Sequence, residues 1–325
     1  MPVKVLVTGA AGFIGFHTAL RLCAEGHEVV GIDNLNDYYS VALKQARLDR
    51  LAACPGFRFQ RLDIADQAGL FELFAGNAFE QVIHLAAQAG VRHSIEQPQD
   101  YLHSNLHGFL NLLEACRRHR PQHLLYASSS SVYGLSERLP FAIADAADRP
   151  ASLYAASKRA NELMAHSYAH LYGIPATGLR FFTVYGPWGR PDMALFRFTE
   201  AILRGRPLEV YGNGEMSRDL TYIDDVVEAI VRLLAHPPSA QQAVPWRLCN
   251  VGRGEPVTLL ELIDCLENAL GLRAQKHFLP LQPGEVPSTW ADTTELAELI
   301  DFRPQVSLDA GVRRFVEWYR SHYAV

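Results

Sequence analysis

The sequence is poor in cysteine, and its cysteines form no metal-binding or disulfide pattern. Five occur among 325 residues, at positions 23, 54, 116, 249 and 265, with no C-x-x-C pair. An odd number at such wide spacing argues against both a disulfide framework and a zinc site. The 13 histidines lack the H-E-x-x-H spacing of a zinc-binding helix, and we therefore predict no metal site.

The sequence also lacks long apolar runs and a strong charge of either sign. No stretch reaches the roughly 18 consecutive apolar residues that a transmembrane helix requires. The start, Met-Pro-Val-Lys, leads directly into a strand pattern without the features of a signal peptide, so we expect a cytoplasmic protein. The 30 basic and 35 acidic residues give a net charge of −5, which provides no electrostatic reason to bind nucleic acid or an anionic membrane.

Short apolar stretches rich in β-branched residues alternate with amphipathic stretches through the first half of the chain. We predict strands at 3–8, 28–33, 57–62, 81–85, 123–128 and 176–182, a long helix at 152–172, and closing helices at about 257–270 and 307–322. Strands that alternate with helices indicate a parallel sheet whose crossovers cover both faces. The predicted fold is α/β, a Rossmann-type doubly wound parallel sheet with a smaller α/β substrate-binding domain.

A cluster of helix and strand breakers, Gly-Pro-Trp-Gly-Arg-Pro at 186–191, marks the predicted domain boundary. Residues 1–185 form the predicted first domain, with a return segment at about 220–250, and residues 186–325 form the second. The loop at about 134–151 is long and polar enough to be a lid, and an ordinary surface loop is an equally good interpretation.

Three glycines follow the first predicted strand at the spacing G-x-x-G-x-x-G. Gly9, Gly12 and Gly15 leave no Cβ between the N–H groups of a helix start and a diphosphate, although a structural turn alone could also use them. Asp33 ends the second strand, where a carboxylate accepts hydrogen bonds from ribose hydroxyls and repels a 2′-phosphate, which favours NAD over NADP. Asp63 ends the third strand and either meets the adenine or caps the following helix. Together these residues predict a dinucleotide site.

A tyrosine and a lysine lie one helical turn apart in the long predicted helix. At this spacing Tyr154 and Lys158 share one face, and an ammonium beside a phenol favours the phenolate, which predicts a lowered pKa and a general base. Four serines, 128–131, end the fifth strand at the edge where a doubly wound sheet binds its ligands. The alternatives are a helix-surface pair and a serine-rich turn.

The chain carries a set of motifs that resembles a known superfamily. The motifs are GAAGFIG, IDNLN, HLAAQAGVRHS, YASSSSVYG, SLYAASK, RFFTVYGPWGRPDMA, RDLTYIDD and VPSTWAD. They resemble the extended short-chain dehydrogenase/reductases that act on nucleotide sugars, and within these the UDP-glucuronate 4-epimerases. The resemblance runs from Lys4 to the last helix near Tyr319. It implies an isomerase that epimerises C4 through a 4-keto intermediate with transient reduction of bound NAD, without net redox change.

The resemblance implies a cofactor site in the first domain and a UDP-sugar site in the second. Tyr154 is the implied base for the sugar 4-hydroxyl, Lys158 orients the nicotinamide ribose and tunes Tyr154, and Ser129 hydrogen-bonds the reacting oxygen. The residues implied at NAD, besides Tyr154 and Lys158, are Gly9, Gly12, Phe13, Ile14, Gly15, Asp33, Asn34, Asp63, Ile64, Leu85, Ala86, Ala87 and Asn105.

The resemblance also implies a set of residues that bind the sugar nucleotide. They are Arg92, Ser129, Ser130, Thr183, Arg190 and Arg218, of which Arg218 resembles a diphosphate-binding arginine. Related dehydratases and decarboxylases carry acidic residues where Ser130 and Ser131 stand. Serines cannot replace those acids as proton carriers. We therefore hypothesise that Ser129, Ser130 and Thr183, with Arg190 nearby, hold a C6 carboxylate; for Thr183, a β-branched strand residue is the alternative.

Several points stay open at the level of sequence. A neutral UDP-sugar, UDP-glucose or UDP-N-acetylglucosamine, is the alternative substrate, and a non-catalytic NAD-binding scaffold is an alternative of another class. His93, His103 and Gln282 depart from what the resemblance leads us to expect. Apolar helices near 104–117 and 152–172 would lie side by side, and such a pair forms a dimer contact in the family, so we predict a homodimer.

Overall fold

The computed structural model describes residues 2–239, 241–280 and 286–325. Its centre is a seven-stranded sheet. The strands of the chain are β1 (Lys4–Thr8), β2 (Glu28–Asp33), β3 (Phe57–Arg61), β4 (Gln81–His84), β5 (His123–Ser129), β6 (Ala176–Phe181), β7 (Thr183–Tyr185), β8 (Leu208–Tyr211), β9 (Ser217–Tyr222), β10 (Trp246–Val251), β11 (Pro256–Thr258) and β12 (Lys276–Leu279).

Helices cover both faces of this sheet and complete the second half of the chain. They are α1 (Phe13–Ala24), α2 (Val41–Ala52), α3 (Gln67–Ala75), α4 (His93–Glu96), α5 (Pro98–Tyr101), α6 (Phe109–His119), α7 (Leu153–Tyr172), α8 (Ala194–Leu203), α9 (Ile223–Leu234), α10 (Leu259–Leu270), α11 (Thr294–Ile300) and α12 (Leu308–Tyr323). A π-helix spans Leu102–Gly108, and short 3₁₀ turns span Ser130–Tyr133 and Gly212–Gly214.

The central sheet has the strand order β10-β6-β5-β4-β1-β2-β3, and every pair in it is parallel. The predicted α/β fold with a doubly wound parallel sheet is confirmed. The order reverses between β1 and β4, so the loops that follow these two strands diverge and leave a crevice at their carboxyl ends. The segment from β9 to β10 includes the return segment expected at about 220–250, and β10 pairs with β6 at the edge of the sheet.

The second half of the chain forms two smaller sheets around its own core. One has the order β11-β9-β7 and the other pairs β12 with β8. Their apolar side chains pack with α8, α10 and α12, with Phe196, Leu266 and Phe315 among the buried residues. Among the described residues no helix combines the length and the apolar character needed to cross a membrane.

Helix α7 begins and ends at residues whose capping signals are visible in the sequence. Its N-cap, Ser152, accepts a hydrogen bond from the backbone N–H of Ala155, and Gly173 ends the helix in the left-handed conformation. These two signals match the predicted helix at 152–172. The π-helix before α6 was not predicted; such turns widen a helix locally and are frequent at functional sites.

Candidate active site

A cavity of about 1280 Å³ lies at the carboxyl ends of the central strands and extends into the second half of the chain. All but one of the residues predicted for the site line it. They are Gly9, Gly12, Phe13, Ile14, Gly15, Asp33, Asn34, Asp63, Ile64, Leu85, Ala86, Ala87, Arg92, Ser129, Ser130, Tyr154, Lys158, Thr183, Arg190 and Arg218.

The glycine loop between β1 and α1 fits a dinucleotide diphosphate. Gly9 has a positive φ of +72°, and a Cβ there would lie 2.8 Å from the backbone nitrogen of Ala86. A Cβ on Gly12 would lie 2.9 Å from the carbonyl oxygen of Gly9. Gly12 is also the N-cap of α1 and provides no side-chain cap. The first N–H groups of α1 are therefore left to bind an anion, as a diphosphate requires.

The carboxylate of Asp33 lies beside this loop. It accepts hydrogen bonds from the backbone N–H groups of Ala11 (3.2 Å) and Leu35 (2.8 Å). Burial raises the pKa of Asp33, while the Leu35 N–H and the charge of Lys44 act in the opposite direction. Asp33 lines the cavity, and each of its carboxylate oxygens can accept a further hydrogen bond, which suits a ribose hydroxyl.

Asp63 lies at the end of the cavity expected to receive the adenine. It accepts hydrogen bonds from the Asn34 side chain (2.9 Å) and from the Ala65 N–H (2.8 Å). The cap of α3 is Asp66, not Asp63. The structure thus removes the helix-cap interpretation of Asp63. His103, one of the departures noted above, has Nε2 3.6 Å from the Asp63 carboxylate.

Asn105 is the one predicted site residue that the structure places behind the cavity wall. Its amide donates to the carbonyl oxygen of Gln88 (3.0 Å) and to Ser157 Oγ (3.0 Å), and its side-chain oxygen accepts from the Gln88 N–H (2.8 Å). The side chain is buried and these contacts use its hydrogen-bonding groups. Asn105 therefore holds Gln88, which itself lines the cavity, and a direct contact with the cofactor stays a prediction.

Tyr154 and Lys158 both line the cavity from α7, as their spacing predicts. The predicted direction of the Tyr154 pKa shift is wrong. Burial raises the pKa of Tyr154, while a hydrogen bond with Ser129 and the charge of Arg190 only partly oppose that rise. The ammonium of Lys158 donates to the Ala127 carbonyl (3.0 Å), and burial lowers the pKa of Lys158 to about 8.

A buried ion pair that sequence reasoning missed supports the serine cluster. Ser128 Oγ donates to Glu162 Oε1 (2.6 Å), and Arg180 donates to both oxygens of Glu162 at 2.8 and 2.9 Å. The Arg180 guanidinium also lies over the ring of Tyr133, 4.7 Å from its centre. Glu162 lies one helical turn after Lys158, which is the only signal that could have drawn attention to it.

Arg190 reaches the cavity from the loop after β7, the strand that contains Thr183. Its guanidinium makes two hydrogen bonds to Asp192, of 3.0 and 2.5 Å, and the Tyr38 hydroxyl donates to the same carboxylate (3.2 Å). Burial opposes ionisation of Asp192, but Arg190 holds the pKa of Asp192 below its usual range. Asp192 and Tyr38 are further lining residues that the sequence did not indicate.

Two predicted arginines, Arg218 and Arg92, contact residues of the second half of the chain. Arg218 on β9 donates to the carbonyl oxygens of Ser217 (2.8 Å) and Pro287 (3.1 Å). Arg92 lies over the ring of Tyr211, 5.6 Å from its centre. Gln282 lies outside the described residues.

The loop at 134–151 is anchored near its middle. Phe141 stacks on Tyr133 with 4.6 Å between ring centres, and its backbone exchanges hydrogen bonds with Trp290 and Asp292. Phe141 also lines the cavity. Closure of this loop as a lid stays a prediction.

Comparison with known proteins places this site in a family. Residues 5–252 match the NAD dependent epimerase/dehydratase family, and the chain belongs to that family, which uses NAD. The chain is 51% identical over 334 residues to a probable UDP-glucuronate 4-epimerase of Rhizobium meliloti, an alignment covering 99% of this chain and 98% of the relative.

Solved structures agree with this assignment. A UDP-glucuronic acid 4-epimerase from Bacillus cereus, in complex with UDP-glucuronic acid and NAD, superposes with a TM-score of 0.89 at 36% identity, covering 98% of this chain and 100% of that one. A UDP-glucose 4-epimerase from Thermotoga maritima with UDP-glucose superposes with a TM-score of 0.88 at 30% identity, covering 98% of this chain and 99% of that one.

Proposed function

We propose that the chain catalyses the reversible C4 epimerisation of UDP-glucuronate to UDP-galacturonate. The observation that carries the proposal is the convergence of a glycine loop shaped for NAD, the Tyr154–Lys158 pair and the serine cluster on one cavity. The Rhizobium and Bacillus relatives, which carry this activity in their names, match the chain over nearly its whole length. When bound, NAD supplies a reversible acceptor for the C4 hydrogen and its electron pair.

Tyr154 moves the proton of the sugar 4-hydroxyl. Because its pKa is raised by burial, Tyr154 carries its own proton at neutral pH and must be made more acidic when the substrate binds. Ser129 and Arg190 are the groups that favour the phenolate, Ser129 by donating a hydrogen bond and Arg190 by its charge. Lys158, with a pKa of about 8, is mostly an ammonium at pH 7.

The neutral donors around the sugar site suit a carboxylate at C6. Oxidation at C4 makes the substrate a β-keto acid, which readily loses CO2. Ser129, Ser130 and Thr183 line the cavity on its serine side, and Arg190 brings a positive charge to the same space. Hydroxyls and a guanidinium hold a carboxylate by hydrogen bonds and supply no acid that would promote its loss.

The test is an incubation of the purified protein with UDP-glucuronate and no added NAD, followed by proton NMR. We expect the anomeric signal of the galacturonate product, because NAD stays with the protein. Tyr154→Phe should abolish the signal, whereas Tyr168→Phe, a change on the same helix at a residue bonded to Glu114, should leave it. If the unaltered protein has NAD bound but does not turn over UDP-glucuronate, the proposal is contradicted. A non-catalytic NAD-binding scaffold would then be the remaining interpretation.

A neutral UDP-sugar is the second candidate substrate, favoured by the similarity to the UDP-glucose 4-epimerase of Thermotoga maritima. Comparing kcat/KM for UDP-glucuronate, UDP-glucose and UDP-N-acetylglucosamine separates the two. We expect the uronate to be preferred by at least about tenfold, because only its C6 carboxylate can accept a charge-assisted hydrogen bond from Arg190 in addition to the pair that Arg190 forms with Asp192. Equal values would remove the proposed role of the C6 carboxylate.

We propose further that the protein is a homodimer. The π-helix, α6 and α7 pack side by side and expose leucines to solvent: Leu102, Leu110, Leu163 and Leu171. A second copy of the same surface would bury them. Light scattering should give twice the chain mass. Leu163→Lys should give a monomer, and Leu272→Lys, at an exposed leucine elsewhere, should not.

We propose a cytoplasmic location for the protein. All five cysteines are free thiols, and Cys23, Cys116 and Cys249 are buried. Unpaired thiols are typical of a reducing compartment. Cell fractionation followed by detection of the protein tests this, and recovery in a secreted fraction would contradict it.

A further inference from the structure

Arg47 on α2 is a buried cation that the epimerase chemistry described above does not use. Its side chain has no exposed surface. Its hydrogen bonds go to four uncharged oxygens: the carbonyls of Ala11 (2.7 Å), Trp188 (2.6 Å) and Gly189 (3.3 Å), and the hydroxyl of Tyr39 (2.7 Å). Burying a charge that has no carboxylate among its hydrogen-bond partners is costly, which favours a role for Arg47 beyond stabilising the fold.

The contacts of Arg47 join the two halves of the site. Ala11 belongs to the glycine loop, and its N–H donates to the Asp33 carboxylate (3.2 Å). On the other side, Gly189 directly precedes Arg190, which lines the cavity and whose charge acts on Tyr154. One guanidinium therefore bridges the cofactor loop and the turn that leads to Arg190.

That turn needs to be held. Trp188 has a φ of +61°, a conformation that residues with a side chain rarely adopt. His17 bonds the carbonyl of Pro187 at 2.9 Å, and Arg47 bonds the two carbonyls that follow. Both holding residues come from helices that flank the cofactor loop, α1 and α2. The planar fork of a guanidinium reaches two separate loops at once, which a lysine ammonium at the same position cannot do.

We propose that Arg47 is a positioning residue that sets Arg190 against the sugar carboxylate and ties that position to the cofactor loop. The inference rests on the proposed function, because it assumes a uronate in the cavity. Among the described residues, Arg47 is not one of those that line the cavity. It acts through the backbone of Trp188 and Gly189.

The test compares the binding of UDP-glucuronate and of UDP to the NAD-loaded protein by calorimetry. Arg47→Lys keeps the positive charge but cannot hydrogen-bond both the glycine loop and the turn at Trp188. We expect UDP-glucuronate to bind about tenfold more weakly and UDP to bind within twofold of the unaltered protein, because UDP lacks the uronate that Arg190 would hold. Arg50→Lys is the matched control: Arg50 is on the same helix, is exposed, and its guanidinium lies over the ring of Trp188, 5.5 Å from the ring centre. It should change neither value.

Two further variants keep the proposal falsifiable. Tyr39 lines the cavity and is also a partner of Arg47. Tyr39→Phe should weaken UDP-glucuronate binding by two- to threefold and leave UDP binding within twofold, even if Arg47→Lys does not fold. In an Arg190→Ala background, Arg47→Lys should weaken UDP-glucuronate binding no further. Equal losses for UDP and UDP-glucuronate, no loss for either, or additive losses in the double variant would overturn the proposal. Unaltered protein that binds UDP-glucuronate without epimerising it would contradict the proposed function alone.

Discussion

Ser128 Oγ lies 2.6 Å from Oε1 of Glu162, a carboxylate with no exposed surface beneath the serine cluster. Arg180 binds the same carboxylate through two hydrogen bonds. Burial alone would raise the pKa of Glu162, but Arg180 holds it below its usual range. The serine cluster is therefore held, through Ser128, by the Glu162–Arg180 ion pair, which stays ionised at neutral pH.

We predict that Glu162→Gln lowers the free energy of unfolding by about 3 kcal/mol, because Arg180 is left buried without its counter-charge. Urea unfolding at pH 7 measures this. Arg159→Gln is the matched control. It removes a less buried partner of the same carboxylate and should cost less than about 1 kcal/mol. Similar losses for both variants would show that Arg180 does not depend on Glu162.

Lys158→Met should abolish epimerisation and raise stability. The folded-state pKa of Lys158 is about 8, below its usual 10.5, so the unfolded chain binds more protons between these values and stability rises with pH across that window. Below pH 8 the cost of the buried charge is fully present. Its removal should add on the order of 1–2 kcal/mol at pH 7. Lys4→Met, at a half-exposed surface pair, should stay within about 0.5 kcal/mol, and a stability loss for Lys158→Met would contradict the prediction.

Thr183→Ala should increase the loss of CO2 from UDP-glucuronate. If the Thr183 hydroxyl holds the C6 carboxylate, its removal frees that group in the 4-keto intermediate. We expect the ratio of CO2 released to UDP-galacturonate formed to rise by about tenfold, the effect of one lost hydrogen bond to a charged group. Thr183→Ser keeps the hydroxyl and should restore the original ratio. Unchanged partitioning in the alanine variant would show that Thr183 is only a strand residue.

Glu267 is a buried carboxylate on α10 that does not itself line the cavity. Glu267 on α10 accepts hydrogen bonds from Lys276 (2.6 Å), Arg273 (2.6 Å) and the Ala274 N–H (3.0 Å). Burial acts to raise its pKa, but these donors lower the pKa of Glu267 to about 2 from 4.5. Its stabilising contribution is therefore present above pH 4.5 and is lost as the pH falls towards 2.

Glu267→Gln should cost about 2 kcal/mol at pH 7, and the difference from the unaltered protein should shrink between pH 4.5 and pH 2. Urea midpoints across this range measure it. Glu298→Gln, at an exposed glutamate, should have little effect at any pH. A difference that does not depend on pH would contradict the assignment to the Glu267 carboxylate.

The parts of the site that the sequence predicted are those carried by local motifs. Gly9 and Gly12 follow β1 and Asp33 ends β2, two strands whose sequence pattern is clear, so their place at the carboxyl edge of the sheet could be inferred without coordinates. Glu162 and Arg47 could not be found in this way. Charged residues in amphipathic helices normally face solvent, and the partners that bury these two come from distant segments, Arg180 on β6 and the turn at Trp188.

The pKa of Tyr154 also could not be predicted from sequence spacing. Sequence spacing places Lys158 on the correct face, but it does not report how deeply the phenol is buried. Burial disfavours the phenolate, and this effect outweighs the neighbouring hydrogen bond and charge. The direction of a pKa shift thus depends on burial, which the spacing of two residues in the sequence does not reveal.

The edge position of β10 bears on how a nascent chain acquires its structure. β6 pairs with β10 along its outer edge, yet β10 leaves the ribosome only after β7, β8, β9 and the intervening helices. Until Val251 is synthesised, the backbone of β6 presents unpaired groups along that edge. The central sheet therefore cannot be completed before β7, β8 and β9 have been synthesised, and the two halves of the chain are expected to unfold in a single cooperative transition.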